Sequence, residues 1–353
     1  MAATSYGVND PLAVKLWSKY LNVEVLKNTW ASKFIGKTSS SIIQMKDETS
    51  KGAGDKITYG LRMQLTGSGV QGDGTMEGNE ESLVTYNDAL YIDQLRHAVR
   101  SAGRMSQQRV PFNVRDEALS GLRDWWTDRI DTSFFNQICG YTVQTDTRFT
   151  GMQAAIAADN NHYLNQHSDT SVLDTDLVST DTFTLTLIDR AVERARTLTP
   201  AIRPTKIAGK NFYASFMHEY QVTDMRSNTS TGQWLDIQKA AMTGGEVEDN
   251  PIFDGSLGVY NGTIIHEDVR VTQGINGTAA ISTVRRAVLC GAQAAVIGYG
   301  RDNSPGRFTW VEELFDYENQ LGVSAGQIWG IKKSVFNAAD YATVVTSSYA
   351  TSH

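Results

Sequence analysis

Apolar and polar residues alternate through Ile57-Thr-Tyr-Gly-Leu-Arg-Met-Gln-Leu65, the period of a strand with one buried face. Gly67-Ser-Gly-Val-Gln-Gly-Asp-Gly74 then supplies a flexible tip, and Glu77-Gly-Asn-Glu-Glu-Ser breaks the pattern with charge. Leu83–Tyr86 and Ala89–Asp93 resume as strands, so the stretch from Lys51 to Asp93 is expected to be a protruding hairpin. An isolated hairpin is marginally stable in water, and this one is expected to need a neighbouring subunit to lie on.

The period then changes. Val114, Ala118, Leu122, Trp126, Ile130, Phe134 and Ile138 form one helical stripe, widened by Leu119 and Trp125. Arg115, Asp116, Arg123, Asp124 and Asp128 lie on the opposite side. Asn113 is a good N-cap, Asp116 and Glu117 suit the first turn, and Gly140 follows Cys139 as a stop. The helix predicted over 114–138 is roughly 37 Å long. A second helix is predicted over Phe183–Leu198, capped by Asp181 and ended by Pro200 and Pro204. Between the two, 159–180 is polar and is expected to be a surface loop.

Beyond Lys206 the elements are short. Phe212–Met217 is apolar, Gln233–Met242 is helical in pattern, and Gly258–Ile265 forms a hairpin around Asn261-Gly262. Ala287–Gly298 is a buried strand or strand-turn, and Arg307–Tyr317 and Gln327–Phe336 are late strands. The Ser/Thr-rich tail from Ala342 to His353 is expected to be loosely ordered. Residues before Lys51 have partly helical spacing and little local anchorage, as in an arm that packs elsewhere on the molecule or on a neighbour.

Composition narrows the function. Of 353 residues, 41% are hydrophobic and 20% charged, a globular balance, and the net charge of -7 argues against tight wrapping of DNA. Cys139 and Cys290 suit small buried hydrophobes in a reducing compartment. The opening Met1-Ala-Ala-Thr-Ser-Tyr lacks a basic segment followed by an apolar one, so no secretory leader is expected, and no apolar run reaches membrane-spanning length.

Chemistry-bearing motifs are weak. Gly67-x-Gly69-x-x-Gly72 matches a dinucleotide fingerprint in letters, but an acidic, Gly-rich stretch follows where a helix N-terminus is required. His162 and His167 share a polar loop at a spacing that suits no metal pair, and His266-Glu267-Asp268 lacks a second histidine. No serine sits in a nucleophile elbow. Glu312, Glu313 and Asp316 are expected on solvated faces or in inter-subunit ion pairs, and Lys332 and Lys333 as surface lysines at a strand end. The tryptophans are not interleaved with Lys and Arg, which favours core and interface packing over a nucleic-acid platform. No catalytic, metal or cofactor residue is assigned.

Three stretches are diagnostic together: Asn250-Pro-Ile-Phe-Asp-Gly-Ser-Leu-Gly-Val-Tyr-Asn-Gly-Thr263, Cys290-Gly-Ala-Gln-Ala-Ala295, and Asp316-Tyr-Glu-Asn-Gln-Leu-Gly-Val-Ser-Ala-Gly-Gln-Ile-Trp-Gly-Ile-Lys-Lys333. Their order and wording resemble the major capsid proteins of tailed double-stranded-DNA bacteriophages, in particular the family of the short-tailed N-four phage. The resemblance runs from about Leu16 to Asn337. It implies an α+β, Hong Kong 97-like capsid fold with a long spine helix. The implied parts are an N-terminal arm (1–50), an extended hairpin loop (51–95), a peripheral domain with the spine helix (96–204), an axial domain (205–300), and return strands of the peripheral domain with the tail (301–353).

The implied function is to build the icosahedral shell that encloses phage DNA, with an encapsulin-like compartment shell or another phage structural protein as the alternative. Implied partners are further copies in pentamers and hexamers, a separate scaffolding protein, a portal protein, a possible decoration protein, and packaged double-stranded DNA held by weak non-specific contact. No cofactor and no membrane are implied. The place is the virion, assembled in the host cytoplasm. Candidate inter-subunit contacts are Trp17, Gly67, Gly69, Gly72, Gly74, Glu80, Glu81 and Trp125.

Overall fold

The computed structural model describes residues 11–46, 54–61, 67–80, 86–109, 113–168, 173–207, 209–228, 257–300 and 307–353, with the backbone alone for 11–19 and 86. Helix α1 (Pro11–Asn28) leads through a short 3-10 turn, Trp30–Phe34, into β1 (Ile35–Gly36) and β2 (Ile43–Lys46). A hairpin follows, β3 (Lys56–Leu61) and β4 (Tyr86–Tyr91), then β5 (Asp93–Arg100), α2 (Arg104–Gln108) and α3 (Val114–Ile138). Next come β6 (Tyr163–Asn165), α4 (Leu185–Thr197), β7 (Thr205–Ile207), β8 (Lys210–Met217) and α5 (Glu219–Ser227). The remainder is strands: β9 (Gly258–Tyr260), β10 (Thr263–Glu267), β11 (Gln273–Asn276), β12 (Ala279–Cys290), β13 (Ala295–Tyr299) and β14 (Thr309–Phe315). They end with β15 (Gln320–Lys333), β16 (Val335–Phe336), β17 (Ala339–Asp340) and β18 (Thr343–Tyr349).

Two large sheets organise the chain. One runs β1-β2-β13-β15-β14, with β5 also paired to β15. The other runs β6-β18-β12-β8-β10-β9, with β11 beside β12 and β7 beside β8. Helix α3 joins them. On the first sheet, Trp126 meets Trp329 and Phe308 with ring centroids 6.5 and 5.0 Å apart. On the second, Phe134 meets Phe216 at 5.8 Å, and the Cys139 thiol donates to the Arg286 carbonyl at 3.4 Å. One continuous core results, with Trp126, Trp310, Trp329, Phe134 and Phe216 among its fully buried side chains.

Helix α3 spans the residues the stripe predicts, and Asn113 caps it by accepting from the Arg115 N–H at 3.0 Å. Gly140, at φ 64°, follows in the left-handed conformation that suits glycine. The stripe widens at the C-terminal end, where Asp131, Ser133, Asn136 and Gln137 are buried too, because neighbouring segments cover the helix there on more than one side. Asn261-Gly262 turns β9 into β10 with φ of 46° and 71°, as a two-residue hairpin requires.

Several expectations are corrected. The tail is not loose: β18 is an interior strand between β6 and β12, with Ser347 and Ser348 wholly buried. Small hydroxyl side chains fit a crowded sheet when they find partners, as Thr346 does on the Ala287 carbonyl and Ser348 on the Gln221 amide. The stretch 159–180 is not all surface loop, because β6 joins the second sheet and Asp174 is buried on the Arg286 guanidinium at 2.7 Å. Helix α4 has Thr184 at its N-cap, not Asp181, whose carboxylate accepts from the Val178 N–H and faces His167. His162 is buried beside Asp159, not solvated. Glu312 is buried because Arg115 of α3 reaches it with two guanidinium nitrogens and the Trp310 indole donates to it at 2.8 Å. Lys333 is fully buried on Asp340 at 2.6 Å, and Lys332 is turned toward Asp88. The helix expected over Gln233–Met242, Leu83–Thr85 of the hairpin, and the Asn250–Ser256 part of the first motif lie outside the described residues.

Candidate assembly surfaces

The hairpin is built as its alternation dictates: β3 and β4 pair antiparallel from Lys56↔Tyr91 to Leu61↔Tyr86, and Ile57, Tyr59 and Leu61 are buried. Its base rests on the first sheet of this same chain. Gly298, Gly300 and Gly330 form a bare track in and beside the first sheet. A Cβ on Gly298 would stand 2.5 Å from Ile57 Cδ1 and 2.7 Å from Leu90 Cδ2, and one on Gly330 would collide with the Tyr91 carbonyl. Only glycine leaves room for the hairpin to settle this close. This is the physical content of Gly330 in the Asp316–Lys333 motif.

Asp88 then clamps the base. Its carboxylate accepts from the Tyr59 hydroxyl at 2.9 Å, the Val335 N–H at 3.2 Å and the Lys332 ammonium, which also donates to the Ala89 carbonyl at 3.0 Å. Burial and the adjoining carboxylate push the Tyr59 phenol well above its ordinary range. Reading the sequence missed Asp88. The one available signal was an acidic residue just before the apolar run Ala89-Leu-Tyr-Ile92.

The tip is the opposite of the base. Residues 67–80 contain turns but no helix or strand, and none of them is buried. Gly69, Gly72 and Gly78 have φ of 69°, 63° and 87°, the Gly78 N–H donates to Glu80 at 2.7 Å, and Met76 is 59% exposed. Gly67, Gly69, Gly72, Gly74 and Glu80 thus lie on one exposed loop, and Glu81 is outside the described residues. No helix N-terminus follows Gly72 within 67–80, so the amide cradle a pyrophosphate needs is not formed there.

Trp17 and Trp125 lie elsewhere. Trp17 belongs to α1, which packs on α3 and β14. Trp125 is half-buried on α3, stacked on His97 of β5 at 4.4 Å, with the Arg129 guanidinium 4.9 Å from its ring. A groove of about 400 Å³ between α1 and α3 is lined by Tyr20, Leu21, Glu24, Leu119 and Arg123. The N-terminal segment is tied down beyond it. Buried Asp131 accepts from the Trp30 and Ala31 N–H groups at 3.0 and 2.9 Å, and Trp30 packs among Phe34, Phe135, Phe216 and His266. Burial raises the Asp131 carboxyl to about 6, against the pull of those two N–H groups and Arg270.

Among the described residues no group of three His, Cys, Asp or Glu is placed to hold a metal ion, and no helix is long and apolar enough to cross a membrane. Cys139 and Cys290 are buried free thiols, and burial pushes both up. What the fold offers is an α+β body with an anchored hairpin and an exposed tip, the make-up of a shell subunit with a Hong Kong 97-like fold.

Residues 5–352 match the family described as phage capsid protein, and the chain belongs to that family. The solved capsid of Ralstonia phage GP4 is 32% identical over 99% of each chain, with a TM-score of 0.81. The capsid of cyanophage Pam1 superposes over 100% of this chain and 95% of that one, at 20% identity and a TM-score of 0.70. The major capsid protein of Pseudomonas phage KPP25 is 28% identical over 91% of this chain and 89% of its own. The chain is a structural protein of a phage capsid, assembled from many copies of itself, and not an enzyme.

Proposed function

We propose that this chain is the major subunit of an icosahedral head, arranged as pentamers and hexamers around phage double-stranded DNA. The observation that carries this is the hairpin: its base is locked to its own body, while the tip, 67–80, has no buried residue. A projection of that kind gains its burial from a neighbour. In the proposed division of labour, α3 belongs to the peripheral unit with β5, β14 and β15 of the first sheet. The strands within 205–300 belong to the axial unit at the five- and six-fold centres. The segment before Lys51 is the arm. A separate scaffolding protein guides closure of the shell, a portal protein occupies one vertex, and decoration proteins have the outer surface available. Assembly takes place in the host cytoplasm, and the net charge of -7 leaves the DNA weakly held.

The test is electron microscopy of the expressed chain, alone and with its scaffolding partner. Closed icosahedral particles are expected, and tubes or unassembled monomers under both conditions refute the proposal. Binding of the subunit to duplex DNA across a salt series is expected to be weak. A slope corresponding to roughly 6 to 10 released counterions reveals a DNA-binding face and overturns that part.

A further inference from the structure

One arginine serves three carboxylates where the N-terminal segment meets the body. The Arg270 guanidinium, between β10 and β11, donates to Asp128 at 3.0 Å and to Asp268 at 3.3 Å, and lies 3.8 Å from Asp131. Asp268 and Asp131 are buried, at 8% and 1% exposure, while Asp128 is exposed. Asp131 also accepts from the Trp30 N–H on Oδ2 and from the Ala31 N–H on Oδ1. Those are the first two amides of the 3-10 turn that joins α1 to β1. Asp131 therefore ties the N-terminal segment, α3 and the β10–β11 connection together.

The charges in this cluster do not balance. A single guanidinium does not offset three carboxylates when two of them are out of water, so holding a proton is favoured over a third negative charge. Asp131 is the group placed to hold it, because it has the most distant share of Arg270 and the least exposure. Burial raises its carboxyl to about 6, and Asp268 adds to the rise, against the pull of the two N–H groups and Arg270. Burial raises Asp268 as well.

The surrounding elements carry other ionisable groups. Glu219 of α5 adds negative charge beside Asp268, and Glu267 at the end of β10 is exposed. His218, which caps α5, is held down to about 4 by burial and by Arg285, so it is neutral where Asp131 titrates. His266 of β10 lies against Trp30 and Phe34, with ring centroids 5.8 and 5.1 Å apart. A proton on His266 would disturb the same turn toward low pH, the opposite sense to Asp131. Lys33 belongs to the turn itself.

We infer that Asp131, with Asp268 and Arg270, is a proton-operated latch on the N-terminal segment: the 30–34 turn is seated most firmly when Asp131 carries a proton, and opens more often once that proton leaves. Without the proton the cluster holds one more buried negative charge, and opening the turn relieves it by letting water reach Asp131. Trp30 and Phe34 pack on Phe216 and keep the turn closed on average at either pH, so the proton sets how often it opens. The seated turn binds the proton more tightly than the open one, so opening is rare near pH 4 and grows as pH rises through about 6. With the carboxyl at 3.8 when open and about 6 when seated, the open fraction rises on the order of 50-fold between pH 4 and 7. The latch is a property of the single subunit and does not depend on the shell proposed above.

The test is hydrogen exchange of the full chain from pH 4 to 7, read by peptide mass and corrected for the intrinsic pH dependence of exchange. Peptides covering 29–36 are expected to lose protection on the order of 50-fold across that range, while peptides of β12 and β18 do not follow them. In Asp131→Asn the loss at 29–36 is expected to vanish. In Asp268→Asn, which keeps Asp131 and removes a neighbouring charge, the loss is expected to shrink, and this variant decides the matter where Asp131→Asn fails to fold. A loss that persists in Asp131→Asn, or that is undiminished in Asp268→Asn, overturns the latch. So does protection at 29–36 that is flat or grows with pH in the unaltered chain, or a loss shared equally by β12 and β18, which reports unfolding of the whole molecule.

Discussion

Replacing Asp131 by asparagine tests how the N-terminal segment is held. The carboxylate is 1% exposed and accepts two backbone N–H groups, from Trp30 and Ala31. Arg270 is 3.8 Å away and is shared with Asp268 and Asp128. The carboxyl is raised from 3.8 to about 6, chiefly by burial. The folded protein therefore holds this proton more tightly than the unfolded chain does, so the stabilisation is complete below about 4 and is lost as pH rises through about 6. The gap corresponds to about 3 kcal/mol. The Asp131→Asn variant carries no charge at any pH, and one of the two N–H groups loses its acceptor, at a cost of about 1–3 kcal/mol. It is expected to be the less stable protein near pH 4 and to draw level with or pass the unaltered chain near pH 7. The assay is urea unfolding of both proteins, followed by tryptophan fluorescence across that range. Taking the difference between them removes the titration of groups they share. A difference that stays flat, or that grows in favour of the unaltered chain as pH rises, refutes the reasoning.

Three further outcomes are expected. Leu122→Asp places a charge at a fully buried position of α3 and should cost several kcal/mol, whereas Arg123→Ala removes only partly exposed ion pairs with Glu24 and Asp124; equal soluble yields contradict this. Gly330→Ala forces a Cβ against the Tyr91 carbonyl and should destabilise the hairpin seat by about 1–3 kcal/mol, read as faster proteolysis and hydrogen exchange at 56–61 and 86–91 with little change in the second sheet. Asp340→Ala leaves the buried Lys333 ammonium without its carboxylate and should cost about 3–5 kcal/mol in a denaturation curve; a near-neutral result means that the pair is not buried as described.

Legibility followed the range of the forces involved. Helix α3 could be read to its ends because its stripe, its Asn113 cap and its Gly140 stop are all local. The Asn261-Gly262 turn was equally local, since the two residues themselves tolerate positive φ. The alternation in β3 was legible as a strand, but not what its buried face would meet. That face found Gly298, far along the chain, a partner that no local pattern in β3 names. The candidate residues of the tip were legible as a group because glycine and charge cluster there in sequence.

Local pattern was enough for the periodic elements, for the shell family through three Gly-rich stretches, and for an acidic chain without an evident catalytic constellation. Which polar residues lie inside was a matter for long-range packing. Glu312, Lys333, His162 and Ser348 look solvent-bound in sequence, yet each is buried against a partner supplied by another segment or turn. Composition reports the average cost of burying such groups. Only the fold supplies the distant partner that offsets it, as Arg115 does for Glu312 and Asp340 for Lys333.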